Sequence, residues 1–304
     1  MSKTNKFQKL LQKDFTTLKN GKQSEESLDL ITTSSNAALI EFENNPQRFN
    51  VLVSNPTLAK TNEEKIGIMS AREIILLIDK SASMDSSDFN PQINTISQKQ
   101  QKWTLWDSAR VATESILEVA LAMDSNHKID VTTFPAISEN WLAVNNDYKL
   151  YETGSIVDIQ KIFENKPGGS TPLAEALNSI RKQKLETLLN DNIPFTVVIM
   201  TDGIPDNENN VKQFFLNLVR DYRLYENGRE YLAAFSFVQM GDNLCATKFL
   251  SELDDNMRNY YIKNNVTPVD IIDTKKDNFL FGTDEFENSD WKGPFALLYD
   301  AIFD

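Results

Sequence analysis

Residues 73–85, which read EIILLIDKSASMD, constrain the fold of this chain more than any other stretch. Five consecutive apolar residues, Ile74 to Ile78, lead directly into Asp79. An apolar run of this length, rich in isoleucine, is typical of a strand that is buried on both faces. In an open parallel sheet, binding sites form beyond the carboxyl ends of the strands. The stretch therefore predicts a central strand that delivers three oxygen-bearing side chains, Asp79, Ser81 and Ser83, to such a site.

From about residue 70 onward, helix-like and strand-like segments alternate. Helical periodicity covers 103–123, 156–165, 172–189, 210–224, 245–254 and 294–303, whereas strand-like runs cover 128–134, 141–144, 195–200, 231–239 and 268–272. Such alternation predicts the α/β class, with a doubly wound, mostly parallel sheet flanked by helices in the manner of Rossmann-like folds. We assign this domain to residues 69–304 and treat residues 1–68 as an N-terminal extension.

The extension begins with a strongly basic segment. Residues 1–22 hold six lysines and one aspartate, which gives them a charge of +5. Because the net charge of the whole chain is −13, the remaining residues carry −18. Apolar residues recur there at helical spacing and predict an amphipathic helix: Phe7, Leu10, Leu11, Phe15 and Leu18. This helix could dock on a partner or an anionic membrane, but its shortness and lack of tryptophan favour folding back on the acidic body. A linker at 23–35 and a hairpin or edge strand within 37–53 are predicted to follow.

Composition excludes several functional classes. A net charge of −13 argues against nonspecific binding of nucleic acid. Cys245 is the single cysteine, so no disulfide can form within the chain, which indicates a reducing compartment. The N-terminus lacks an apolar core of signal-peptide length, and no apolar stretch approaches the ~20 residues of a membrane span. We therefore expect a cytoplasmic protein without a membrane span.

Two further loops carry oxygen donors at equivalent positions. Thr171 precedes Pro172 at the start of a predicted helix, and Asp202 follows the apolar strand at 195–200. Because the carboxyl ends of parallel strands meet at one edge of a sheet, we expect both to join Asp79, Ser81 and Ser83. Singly, each has an ordinary explanation as a helix cap or a turn residue. Together, two carboxylates and three hydroxyls form the all-oxygen donor set that Mg²⁺ prefers.

The segments DKSASM, GGSTPLAEAL and VVIMTDG together resemble the von Willebrand factor type A (vWA) domain, over roughly residues 70–304. The resemblance implies a metal-ion-dependent adhesion site whose ligands are Asp79, Ser81, Ser83, Thr171 and Asp202. It implies Mg²⁺, with Ca²⁺ or Mn²⁺ as alternatives, and a partner protein that offers an Asp or Glu to the open metal position. The stretch FSFVQMGDNLCATKFLSELDD resembles the intracellular members. Pairing with an ATPase of the AAA type is a further implication of the resemblance.

One segment departs from the family pattern. The family's loop after the second serine is short, whereas a polar insert, residues 86–101, follows here. Because the insert starts directly beyond Ser83, we predict that it rims the site and shapes the choice of partner.

Enzymatic alternatives are less well supported. One class of phosphohydrolase uses an aspartate after the first strand as its nucleophile, and a second aspartate two residues later acts as acid and base. This chain has Ser81 at that second position. The single histidine, His127, lies in a predicted surface turn, and no G-x-x-x-x-G-K-[ST] motif exists. We therefore expect a metal-dependent protein-interaction module rather than an enzyme. A Mg²⁺-dependent phosphohydrolase remains one alternative. A scaffold that forms homo-oligomers, with residues 1–22 of one copy docked on the acidic body of another, remains the other.

Overall fold

A computed structural model describes residues 45, 47–48, 51–52, 55–59, 62–87, 104–123, 128–135, 143–144, 147–277 and 293–303. The strands in these residues are β1 (Glu73–Asp79), β2 (Ile129–Phe134), β3 (Ala143–Val144), β4 (Asp147–Tyr148), β5 (Tyr151–Thr153), β6 (Phe195–Thr201), β7 (Ala233–Gln239) and β8 (Ile272–Lys276). The α-helices are α1 (Asn62–Ser70), α2 (Leu105–Met123), α3 (Ile156–Phe163), α4 (Leu173–Ile180), α5 (Glu186–Asp191), α6 (Glu208–Asp221), α7 (Leu244–Asp255), α8 (Met257–Lys263) and α9 (Gly293–Phe303). A π-helical turn, Arg181–Leu185, joins α4 to α5.

The main sheet has six strands in the order β5-β2-β1-β6-β7-β8. All neighbouring strands are parallel except β5, which is antiparallel to β2, while β3 and β4 form a separate antiparallel pair. The predicted doubly wound, mostly parallel sheet is thus confirmed. The chain passes from β1 to β2 on one side and later crosses to β6 on the other. The strand order therefore reverses between β1 and β6, the point at which such sheets open a crevice for ligands.

Side chains of β1 alternate between two buried layers. Ile74, Leu76 and Ile78 belong to a core shared with α1, α2, α3 and α9. Ile75 and Leu77 belong to a core shared with α4 to α8. Because helices cover both faces of the sheet, β1 needs an unbroken apolar run rather than alternating apolar and polar residues.

The stripe predicted for the helix after the insert is observed in α2. The stripe residues that the structure describes are all buried: Trp106, Ala109, Ala112, Ile116, Val119 and Met123. The Trp106 ring lies 4.3 Å, centroid to centroid, from the Phe163 ring at the end of α3. The helical periodicity therefore predicted the buried face correctly, and this face also fastens the neighbouring helix.

Prediction failed at the far edge of the sheet. The strand expected at 268–272 is wrong, because β8 occupies Ile272–Lys276, a largely polar segment. Its position follows from pairing with β7 and from an ion pair with α9, in which Lys275 Nζ lies 3.6 Å from Asp300 Oδ2. A polar edge strand leaves little hydrophobic pattern to detect. The three-residue strand β5 and the short helix α8 were likewise not expected.

Packing continues across the boundary proposed at residue 68. Leu52 and Ile66 share a buried cluster with Leu298 of α9. Lys65 Nζ also donates to Tyr299 Oη at 2.6 Å. Leu52 and Ile66, which precede position 69, therefore belong to the same hydrophobic core as α9, and the division into 1–68 and 69–304 stays a prediction.

Several predicted features lie outside the described residues. They are the basic helix at 1–22, the linker at 23–35, Trp103, His127 and most of the insert at 86–101. The hairpin or edge strand expected within 37–53 falls largely there too, and its residues 47–48 and 51–52 are helical. Among the described residues, no helix combines the length and the apolar character that a membrane span requires.

Candidate metal site

Asp79 is the last residue of β1 and has no solvent-exposed surface. Its Oδ1 accepts a hydrogen bond from the Ser81 main-chain N–H at 2.8 Å. Its Oδ2 accepts one from Thr201 Oγ1, at the end of the neighbouring β6, at 2.6 Å. The carboxylate is therefore oriented both by its own loop and by the adjacent strand.

A chain of hydroxyl contacts connects this first loop to Asp202. The Ser81 and Ser83 hydroxyl oxygens lie 3.0 Å apart, and Ser83 Oγ donates to Asp202 Oδ1 at 2.9 Å. Ser81 and Asp202 are buried, whereas Ser83 is exposed. The four predicted residues at the ends of β1 and β6 are thus brought together. Asp79 is the most buried of them and Ser83 is the one exposed to solvent.

Thr171 approaches the same point from the start of α4. A Cβ atom built on Gly203 would lie 3.8 Å from both Thr171 Oγ1 and Ser83 Oγ, so both hydroxyls lie beside Gly203. The helix-cap explanation for Thr171 fails, because Pro172 occupies the N-cap position of α4 and no side chain caps it. The structure therefore brings all five sequence-predicted site residues to one crevice.

Main-chain hydrogen bonds fix the two loops that face each other across the site. Lys80 N–H donates to Phe134 O at 2.6 Å, and Gly168 N–H donates to Lys80 O at 2.8 Å. Ala82 N–H donates to Gly169 O at 3.1 Å. The loop that carries the two serines is therefore held against the end of β2 and against the glycine pair.

Gly169 is a position where only glycine fits well. Its φ of +94° lies in the left-handed region, and a Cβ there would lie 2.9 Å from Pro135 Cγ. We expect Gly169→Ala to lower the free energy of unfolding by about 1–3 kcal/mol and to weaken metal binding, because the Ala82 contact moves with it. Gly168→Ala is the matched control, since nothing lies within 4 Å of its Cβ position. Urea unfolding of both variants tests this, and equal stability of the two would contradict it.

The electrostatics of the site favour a bound cation. Burial raises the pKa of Asp79 to about 7; hydrogen bonds from Thr201 and Ser81 lower it, and the charge of Asp202 raises it. Burial also raises the pKa of Asp202, against the hydrogen bond from Ser83. Within the described part of the chain neither carboxylate forms a salt bridge, although Lys80 is next to Asp79 in sequence. Two buried carboxylates without a cationic side chain are stabilised by a divalent ion.

The donor set fits a hard cation. Mg²⁺ takes about six oxygen ligands and usually keeps several non-protein ones, so five protein oxygens leave room for water or a partner. The described residues contain no cluster of three or more His, Cys, Asp and Glu side chains suited to a metal. Any metal here therefore depends on the hydroxyls as well as on the two carboxylates.

Two residues that support the site were missed from the sequence. Thr201 orients Asp79, and Asp206 accepts from the Thr171 N–H at 2.9 Å. The positions of Thr201 directly before Asp202 and of Asp206 four residues after it were the available signals. Neither signal reveals its partner, because Thr201 lies 122 positions from Asp79 and Asp206 lies 35 positions from Thr171.

Fold and site together define an α/β protein with an oxygen-lined crevice where the strand order reverses. No protein-family model and no curated protein matches the chain. Among solved structures, it is similar to the crystal structure of the SpRpn10 VWA domain, with a TM-score of 0.40 and 12% identity, over 67% of this chain and 87% of that chain. It is also similar to the manganese-loaded Plasmodium vivax TRAP protein, with a TM-score of 0.38 and 12% identity, over 70% of this chain and 72% of that chain.

Proposed function

We propose that this chain is a vWA-type module that binds a partner protein through a divalent cation. Its ligands are the five convergent residues: Asp79, Ser81, Ser83, Thr171 and Asp202. Mg²⁺ is the proposed ion, with Ca²⁺ and Mn²⁺ as alternatives. The observation that carries this proposal is the grouping of two buried carboxylates and three hydroxyls around the carboxyl ends of β1 and β6.

Each kind of ligand has a distinct role. Asp79 and Asp202 supply two negative charges, which balance a divalent ion. The three hydroxyls fill coordination positions without adding charge, so the bound ion keeps its attraction for a further carboxylate. An Asp or Glu side chain of the partner supplies that carboxylate. Ser83, the exposed member, marks the side from which the partner approaches.

The same geometry weighs against a hydrolase. A phosphohydrolase built on Asp79 needs a proton donor two residues later, but Ser81 is there and is engaged with Ser83. A serine hydroxyl is too weak an acid to protonate a leaving group near neutral pH. We therefore propose binding without turnover. A phosphatase activity that disappears in Asp79→Asn would overturn this.

Affinity capture tests the proposed function. We expect the immobilised chain to retain a partner from a lysate of its native cell in Mg²⁺, to release it in EDTA, and to lose it in Asp79→Ala. Asp191→Ala, which removes an exposed carboxylate at the end of α5, is the control and should behave like the wild type. Equal capture in all arms contradicts the proposal. Mass spectrometry of the eluate tests the proposed cytoplasmic pairing with an AAA-type ATPase.

A further inference from the structure

The loop that carries Thr171 is clasped by a residue from another loop. Thr171 N–H donates to Asp206 Oδ1 at 2.9 Å, and Asp206 N–H donates in return to Thr171 O at 2.9 Å. These two bonds close a ring between residues that are 35 positions apart. The start of α4 is thereby tied to the loop between β6 and α6, which also carries Asp202.

The clasp occupies the main chain of Thr171 and leaves its side chain available. Its N–H and C=O groups both contact Asp206, and its C=O also accepts from Leu173 N–H at 2.8 Å. Its hydroxyl, in contrast, makes no hydrogen bond to any described residue and lies, like Ser83 Oγ, 3.8 Å from the Cβ position of Gly203. The clasp therefore determines where the one unengaged polar group of Thr171 lies.

Among the described residues, the Asp206 side chain makes no hydrogen bond other than the one to Thr171. Its side chain is exposed, and the N-cap of α6 is the next residue, Asn207, which accepts from Asn210 N–H at 3.0 Å. No described hydrogen bond links the Asp206 carboxylate to Asp79, Ser81, Ser83 or Asp202. The Asp206 carboxylate therefore does not cap α6. Its one described hydrogen bond joins the loop after β6 to the loop that carries Thr171.

We propose that Asp206 is a positioning residue of the metal site, which acts by holding the Thr171 hydroxyl at coordination distance from the ion. This inference rests on the proposed metal-binding function. An oxygen ligand displaced by a few tenths of an ångström no longer fits the near-octahedral shell of Mg²⁺. Residues that orient metal ligands typically change metal affinity about 10–100-fold when removed.

Calorimetric titration with Mg²⁺ alone tests this in three variants. Asp206→Ala removes the acceptor and should weaken Mg²⁺ binding about tenfold or more. Asp206→Asn keeps an acceptor oxygen while removing the charge, so its affinity should stay within about threefold of wild type. Glu208→Ala removes the same charge two residues away, where no hydrogen bond to a described residue is lost, and should match wild type. Equal weakening in Asn and Ala variants would mean that charge matters rather than the clasp, and would overturn the inference.

A double-mutant cycle separates positioning from loss of folding. Thr171→Val removes the hydroxyl but keeps the main-chain clasp, so it should also weaken Mg²⁺ binding. If Asp206 acts through Thr171, adding Asp206→Ala to Thr171→Val has little further effect, whereas independent effects would multiply and contradict the inference. If Asp206→Ala binds Mg²⁺ as tightly as the wild type does, this inference fails and the proposed function is unaffected. A wild type that binds no more Mg²⁺ than Asp79→Ala would defeat both.

Discussion

Replacing Asp79 by asparagine is expected to abolish Mg²⁺ binding and, at the same time, to stabilise the metal-free protein. The first effect follows because an amide carries no charge and is a poor ligand for a hard cation. The second follows because the carboxylate is fully buried and is repelled by Asp202. Asparagine keeps an acceptor for the Ser81 N–H, and its amide can donate to Thr201 Oγ1, whose hydroxyl then turns away.

The stabilisation should depend on pH. Burial raises the pKa of Asp79 to about 7, above its ordinary value, so the folded state binds this proton more tightly than the unfolded state does. Stability from that proton is therefore complete below about pH 4 and is lost as the pH rises through about 7. Asparagine does not titrate. The free energy of unfolding of Asp79→Asn should therefore equal that of the wild type at about pH 4 and exceed it by about 2–4 kcal/mol at about pH 8.

Urea unfolding in EDTA at several pH values measures this effect. Asp191→Asn, which changes an exposed carboxylate, is the control and should shift stability by less than about 0.5 kcal/mol. Excess Mg²⁺ should reverse the ranking, because a ligand that binds only the folded state stabilises the wild type alone. An Asp79→Asn variant less stable than wild type at high pH in EDTA would contradict the cost that we assign to burying the charged Asp79 carboxylate.

Replacing Arg72 by methionine is expected to lower the free energy of unfolding by about 2–4 kcal/mol. Arg72 is only 5% exposed and precedes β1, so it lies at the amino-terminal end of the sheet, opposite the candidate metal site. It donates to Thr196 Oγ1 at 2.9 Å, to Tyr231 O at 2.7 Å and to Phe195 O. The residue before β1 thus holds the starts of β6 and β7 together.

Two opposing effects set the size of this change. Each hydrogen bond from a charged donor contributes about 1.5–3 kcal/mol, and methionine makes none of them. Burial lowers the pKa of Arg72 to about 9, which shows that the buried charge itself is costly, and methionine removes that cost. We expect the three lost bonds to outweigh the gain. Metal binding should change little, since the site lies at the other end of the strands.

Arg110→Met is the matched control for Arg72→Met. Arg110 is on the surface of α2, where its Nη1 lies 3.9 Å from Glu114 Oε1 across one helical turn. An exposed pair of this kind contributes about 0.3–0.5 kcal/mol. Chemical denaturation of both variants should therefore separate them clearly, and equal losses would contradict the role assigned to Arg72.

Local sequence properties predicted the sheet and the five residues of the candidate site. The apolar run before Asp79 indicated a strand covered on both faces. The apolar stripe of α2 likewise indicated which face of that helix is buried. These patterns can be recognised without a structure, because a few successive residues encode both the burial of a strand and the period of a helix. The same logic identified Asp79, Ser81, Ser83, Thr171 and Asp202 as candidate ligands, since each lies at a strand end or at a helix start.

The tertiary structure alone decided which groups support those ligands. The contacts of Thr201 with Asp79 and of Asp206 with Thr171 join residues 122 and 35 positions apart, and no local pattern encodes such pairs. The position of β8 was decided in the same way, by pairing with β7 and by the ion pair of Lys275 with Asp300 of α9. Sequence by itself thus determined the type of sheet and the edge at which oxygen donors gather, because both depend on local burial and periodicity. Their orientation into one crevice depends on hydrogen bonds between distant loops, which exist only once the sheet has brought those loops together.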